Sequence, residues 1–223
     1  MRAEIISQTT GDYLKLIHKL TLEGKPANTT TLANLMNVSP ASVSEMIQKL
    51  SKTDPALLVY KKYQGVKLTP DGQHAAIKLI RRHRLLETFL SEILNYPLEK
   101  IHDEACVLEH FISDEFESSL AKLLGDPDFT PHGEPIPNRQ LVFPVRGIKP
   151  LDRCAINEEL VIQQVPDTDP ELLLFLSIHN LIPGAAAKVI DIRPFDGNMT
   201  IILGDGSTLV LGPSITSKIF IKA

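Results

Sequence analysis

Apolar positions in the first 95 residues recur at helical spacing. Over 4–24, Tyr13, Leu16, Ile17 and Leu20 fall on one side and Gly24 supplies a stop, which predicts a helix. A short helix is predicted over 30–36, with Leu32, Leu35 and Met36 facing one way. Asn37-Val38 then makes a tight turn, with Ser39 as an N-cap and Pro40 at the first helical position. The helix so capped runs to about residue 52. It has Val43, Met46, Ile47 and Leu50 on its apolar face and Ser42, Ser44, Glu45, Gln48 and Lys49 on the other. Residues 57–68 predict a hairpin with a basic loop closed by Gly65. Thr69-Pro70-Asp71 starts a long helix reaching residue 94, and two more helices are predicted over 98–110 and 114–124.

The pattern changes at Gly125. Six prolines (127, 131, 135, 137, 144 and 150) interrupt 125–150, which predicts a linker or extended crossing. Strand-like runs follow at 159–165, 187–192, 199–203 and 208–211, with Asp196-Gly197 and Asp205-Gly206 as hairpin turns and a helix over 170–180. The expected fold is mainly α with a small β domain: a winged helix-turn-helix, a helical domain and a C-terminal small β-barrel.

Charge sharpens this division. The net charge of −4 over 223 residues splits into +5 for residues 1–94 and −9 for 95–223. A basic N-terminal part on an acidic protein points to a polyanion at that end. The helix–turn–capped helix–basic hairpin order matches a winged helix, whose recognition helix enters the DNA major groove. Ser39, Ser42 and Ser44 permit close approach and hydrogen bonding, Pro40 and Ala41 offer apolar contact, Lys61 and Lys62 in the wing are placed to meet phosphates, and Lys49 on the polar face of the helix is a further DNA-binding candidate. Aromatic residues are 5% and Trp is absent, which argues against stacking on single strands. No apolar run is long enough for a membrane helix and no signal-peptide core is visible. Two cysteines make no disulfide framework, so a cytoplasmic protein without a membrane partner is expected.

Residues 101–117 read IHDEACVLEHFISDEFE. On one continuous helix His102, Cys106, Glu109 and His110 fall at i, i+4, i+7 and i+8 and share a face. Two imidazoles, a thiolate and a carboxylate are ligands for a first-row transition metal. His83 and Glu87, at i and i+4 in RRHRLLE, form a second pair. The apolar stripe Phe111, Ile112, Phe116, Leu120 and Leu123 suits either a core or a dimer interface.

The run HDEACVLEHFISDE, preceded by RRHRLLE and a winged helix, resembles the diphtheria toxin repressor family of metal-dependent transcriptional regulators, as does the proline loop TPHGEPIP. The resemblance implies a metal-dependent repressor of metal uptake or homeostasis. It would act as a homodimer on double-stranded operator DNA, with no small-molecule substrate and no enzymatic activity. It implies a primary metal site of Asp12, Cys106, Glu109 and His110. It implies an ancillary site of His83, Glu87 and His102, completed by Asp169 or Glu171. Family members that respond to iron usually pair Met at the Asp12 position with the cysteine, and manganese-responsive members pair Asp with Glu in its place. The combination of Asp12 with Cys106 is a hybrid, which leaves Mn²⁺ or Fe²⁺ as corepressor, with Zn²⁺, Co²⁺ or Ni²⁺ able to bind in vitro. The expected organisation is a DNA-binding domain over 1–73, a metal-binding and dimerisation domain over 74–140, a linker over 141–150 and a barrel over 151–223, Src-homology-3-like or FeoA-like.

Two other readings compete. A winged-helix regulator sensing redox through Cys106 would bind DNA without metal and lose binding on oxidation. A metallohydrolase is disfavoured because no HExxH-type spacing supplies a general base.

Overall fold

The computed structural model describes residues 6–61 and 65–223. The chain divides into two compact units, each drawing on separated segments. Unit 1 comprises residues 1–83, 106–117 and 137–142; unit 2 comprises 84–105, 118–136 and 143–223.

Unit 1 opens with α1 (Gln8–Leu22), α2 (Thr29–Met36) and α3 (Pro40–Leu50). Residues 4 and 5, placed in the first helix by the sequence, lie outside the described residues. Side chains cap the N-terminus of each helix. Ser7 accepts from Thr10 N, Asn28 from Thr31 N and Ser39 from Ser42 N. Asn37, in the left-handed conformation at φ 52°, ends α2 and turns the chain into α3. The apolar faces of the three helices meet through Leu14, Ile17, Leu32, Val43, Ile47 and Leu50. Leu35, expected on the buried side of α2, is 58% exposed. Strands β1 (Leu58–Lys61) and β2 (Gly65–Leu68) form an antiparallel hairpin pairing Leu58 with Leu68, and Leu58 and Val66 close the same core.

The long helix α4 (Pro70–Glu92) begins in unit 1. Its Arg81 is buried, donating from Nε to Glu117 Oε1 at 3.0 Å and from Nη1 to the Pro137 carbonyl at 2.5 Å. Arg82 Nε donates to the other Glu117 oxygen at 3.1 Å.

The expected helix over 98–110 is shorter. A 3₁₀ turn at Leu98–Lys100 leads into α5 (Ile101–Leu108), which stops before Glu109. Helix α6 (Asp114–Leu123) follows, and Ser113 Oγ accepts from Phe116 N at 3.1 Å to cap it. Phe111, Phe116 and Leu123 on and before α6 are exposed, whereas Leu120 is buried.

In unit 2, the proline-rich segment is packed rather than a free linker: Thr130, His132 and Ile136 are buried, and Phe129 bridges Pro135. Strands β3 (Ile148–Pro150), β4 (Glu159–Gln164), β5 (Ala186–Ile192), β6 (Met199–Leu203), β7 (Thr208–Leu211) and β8 (Phe220–Lys222) form one antiparallel sheet in the order β3-β8-β4-β5-β6-β7. Helices α7 (Pro170–Ile178) and α8 (Pro213–Thr216) are interposed. Irregularities at Ile162/Gln164 and Val189/Asp191 bend the sheet over a core that includes Leu151, Ile162, Leu173, Leu176 and Ile201. The end strands β3 and β7 are not paired with each other, so the β domain is a curved open sheet where the sequence suggested a closed barrel. The short strands β3 and β8 lack a two-residue alternation long enough to read.

The Arg81–Glu117 pair generates a stability prediction. Arg81→Met leaves a buried carboxylate with only Arg82, which should cost about 3 kcal/mol. The Arg81→Met/Glu117→Leu double variant should recover part of that loss in denaturant titration. Equal stability of Arg81→Met and the unaltered protein would show that the pair is not needed.

Candidate metal centres and DNA-facing helix

Helix α1 presents two faces. Tyr13, Leu14, Ile17 and Leu20 enter the core of unit 1, while Asp12 and Lys15, three residues apart, lie together on another side. Gly11 leaves room for the ring of His110: a Cβ there would stand 2.7 Å from His110 Cε1. With that space free, His110 Nε2 lies 3.4 Å from Asp12 Oδ1 and 3.0 Å from Glu109 Oε1. Asp12, Glu109 and His110 each bring one donor atom within 4.8 Å of the others.

Glu109 is fully buried. Lys15 Nζ donates to its Oε1 and lies 3.9 Å from Asp12 Oδ1, and His83 Nδ1 is 2.7 Å from Oε2. Burial pushes the Glu109 carboxyl up, but the His83 hydrogen bond and the Lys15 charge outweigh it and hold the group below the ordinary carboxylate range. Both ring nitrogens of His110 are buried and make no hydrogen bond among the described residues. An imidazole in that state beside two carboxylates has the donor chemistry of a divalent-cation site.

Unit 2 holds a second set. Glu87 on α4, His102 on α5 and Asp167 before α7 bring donor atoms within 4.8 Å of one another. His102 Nδ1 is 3.4 Å from Glu87 Oε1 and 3.8 Å from Asp167 Oδ2. Beside them stands the buried His132, whose Nε2 is 3.1 Å from the Leu98 carbonyl. A carbonyl only accepts, so Nε2 carries the proton. Nδ1 lies 3.7 Å from Glu87 Oε1, with no hydrogen-bond partner among the described residues. An imidazole whose far nitrogen donates to a backbone carbonyl is oriented as metal-binding histidines are.

The loop carrying His132 is held against β4. Its carbonyl accepts from Val165 N at 2.9 Å. Gly133 follows at φ +88°, where a Cβ would stand 1.9 Å from the Gln163 carbonyl oxygen, so only glycine lets the loop lie this close. Arg146 donates to the Gly133 and Gln163 carbonyls at 2.7 and 2.8 Å and covers the Phe129 ring at 3.5 Å. Arg84 Nε bonds Glu134 at 2.9 Å. Burial pushes the Glu134 carboxyl up; Arg84 opposes this, and the negative Asp167 and Glu87 add to it.

The two sets differ from the sequence expectation in four respects. Helix α5 ends at Leu108, so Glu109 and His110 occupy the following turn and share no helical stripe with His102 and Cys106. Cys106, half-buried on the last turn of α5, is outside the Asp12–Glu109–His110 set. His83, expected with Glu87, bonds Glu109. Asp169 and Glu171 are not in the second set. Asp169 caps α7 through Leu172 N at 3.1 Å and meets Lys218 at 3.2 Å, and Glu171 is exposed on the first turn. Asp167 and His132 were missed; TPHG and the Asp-Pro cap signal at 169–170 were the available hints.

On α3, Pro40, Ala41, Ser42, Ser44 and Lys49 are exposed, as is Ser39 before it. Ser39 and Ser42 hydroxyls are 2.9 Å apart, and Ser44 Oγ donates to the Pro40 carbonyl at 2.9 Å. Lys61 is exposed at the end of β1, and Lys62 lies outside the described residues.

Residues 6–66 match the N-terminal DNA-binding domain of iron-dependent repressors, and 69–138 match their metal-binding and dimerisation domain. Residues 149–223 match the FeoA domain. The chain is 33% identical to the diphtheria toxin repressor of Corynebacterium jeikeium over 183 residues, covering 78% of this chain and 75% of that one. It is 34% identical to the iron-dependent repressor IdeR of Mycobacterium tuberculosis, covering 87% and 88%. A manganese-dependent transcriptional repressor solved in complex with manganese superposes with a TM-score of 0.84 at 32% identity, over 96% of this chain and 99% of that one. By these matches, which extend from the winged helix through the C-terminal sheet, the chain belongs to the diphtheria toxin repressor family.

Proposed function

We propose that the protein is a metal-dependent transcriptional repressor of metal-uptake or metal-homeostasis genes, acting on operator DNA as a homodimer with Mn²⁺ or Fe²⁺ as corepressor. The observation that carries this reading is the convergence of Glu109 and His110 with Asp12 of α1, a helix that also packs the DNA-binding core. Two carboxylates and one imidazole are a hard donor set suited to Mn²⁺ or Fe²⁺, although Zn²⁺, Co²⁺ and Ni²⁺ would bind it in vitro. The manganese complex with a similar fold supports manganese, and the identity to IdeR supports iron.

A bound divalent cation supplies the positive charge that Asp12 and Glu109 then share. Asp12 holds its side of the site from α1, and Glu109 and His110 hold theirs from the turn after α5. When the three converge, α1 is fixed against that turn, and the orientations open to α2 and α3, packed on α1, are narrowed. This is a population shift toward the DNA-competent form. Glu87, His102, His132 and Asp167 form the second site in this reading. The exposed Phe111, Phe116 and Leu123 supply the apolar face of the dimer, and a two-fold protein suits a palindromic operator. Residues 1–73 read the operator and supply Asp12, 74–140 dimerise and supply the other ligands except Asp167, and the C-terminal sheet is FeoA-like.

Three outcomes test this reading. His110→Ala should abolish metal-dependent operator binding in a mobility-shift titration while the circular dichroism spectrum is retained, and Cys106→Ala should have a smaller effect. Wild-type response in His110→Ala would remove the first site. Asp167→Ala and His132→Ala should each delete one class of Mn²⁺ site in calorimetry. Asp169→Ala should leave binding intact and cost about 1 kcal/mol of stability through the lost cap. The reverse pattern would restore Asp169 as a ligand. Lys61→Ala should reduce the log–log salt slope of operator binding by about 0.9 if it meets one phosphate, and an unchanged slope would take β1 off the DNA.

A further inference from the structure

The first donor set contains a cation of its own. Lys15 extends from the turn of α1 after Asp12, and its ammonium donates to Glu109 Oε1 while lying 3.9 Å from Asp12 Oδ1. Glu109 Oε1 is also the oxygen 3.0 Å from His110 Nε2. The ammonium therefore sits on the oxygen that a metal ion bound to His110 would need. A protonated lysine has three donors and no lone pair, so it is not a ligand. It is a competitor for the same negative charge. The burial pattern allows exchange: Glu109 is 0% exposed at its side chain, whereas Lys15 is 20% and Asp12 35% exposed. Glu109 has no access to water for compensation, but the Lys15 stem can carry its head to solvent without moving α1.

We propose that Lys15 is a built-in competitor of the corepressor metal, holding the Asp12–Glu109 carboxylates together in the metal-free protein and setting the cation concentration at which the site fills. The inference rests on the metal reading of Asp12, Glu109 and His110. One monovalent charge leaves as one divalent charge enters, so filling the site costs the Lys15–Glu109 contact. Lys15 acts in two opposed ways: it stabilises the empty site and weakens metal binding. A ligand at this position would strengthen metal binding, and a purely structural lysine would leave it unchanged.

The full-length protein, without DNA and at fixed ionic strength, is titrated calorimetrically with Mn²⁺ and separately with Co²⁺. Lys15→Met should bind both ions more tightly at one site, by about tenfold or more for the loss of one like charge a few ångströms from a divalent ion. Its metal-free thermal midpoint should fall, so the stabilisation gained on adding metal should exceed that of the unaltered protein. Lys15→Arg, which keeps the charge, should bind more weakly than Lys15→Met. Should Lys15→Met fail to fold, Lys15→Gln serves for the same measurement. Unchanged affinity in the neutral variant overturns the proposal. Weakened affinity, larger for Co²⁺ than for Mn²⁺, overturns it in favour of an amine ligand. Asp12→Ala separates the two readings: if it removes no metal site, the metal reading and this inference fall together. If it does remove one and Lys15→Met binds as the unaltered protein does, only the competitor role falls.

Discussion

Two fully buried carboxylates, Glu87 and Glu109, constrain the rest of the molecule. A negative charge taken out of water needs opposite charge or several hydrogen bonds close by. Around Glu109 the chain gathers His83, His110 and Lys15. Around Glu87 it gathers His102 and His132. In each case at least one imidazole nitrogen faces a carboxylate oxygen with no hydrogen bond among the described residues, which is an arrangement suited to an ion shared between them. The surrounding architecture makes these encounters possible. Gly11 clears space for one imidazole, and Gly133 with Arg146 pins the loop that carries another.

Much of the winged helix was legible because its signals are local. The Ser39-Pro40 start, the spacing of Val43, Ile47 and Leu50, and the basic hairpin each depend on a few neighbouring residues, and each has a counterpart in the structure. The helix over 98–110 was read too long at both ends. The metal-like spacing through Glu109 and His110 suggested that it ran to 110, but α5 closes at Leu108 and the chain turns before Ser113 caps α6. The turn that results places Glu109 and His110 beside Asp12 of α1. What looked like one stripe therefore supplies two sets.

The second set was less legible because it depends on tertiary packing. Asp167, Asp169 and Glu171 are spaced closely in the sequence, and nothing in their composition distinguishes them. Their roles separate because Asp169 precedes a proline at the first position of α7 and is engaged in capping, which leaves Asp167 near His102. His132 lies in a proline-rich stretch with no period to read, and its position is set by the close approach of Gly133 to Gln163. The curvature of the C-terminal sheet likewise comes from irregularities in strand pairing, and its open edges are β3 at 148–150 and β7 at 208–211, which do not pair with each other.

Helix α1 links the first of these charge constraints to DNA recognition. Leu14 and Ile17 are fully buried against the residues that position α2 and α3, and Asp12 and Lys15 reach Glu109 from the same few turns. Close-packed interiors transmit displacement because side chains have little free volume to absorb it. In the proposed reading, a change of cation beside Glu109, from ammonium to metal or the reverse, would therefore act on a rigid element that serves both the site and the DNA-binding core. The serines and Pro40 at the start of α3 need no contact with the ion to be affected by it. They need only be carried on the helical core that α1 completes.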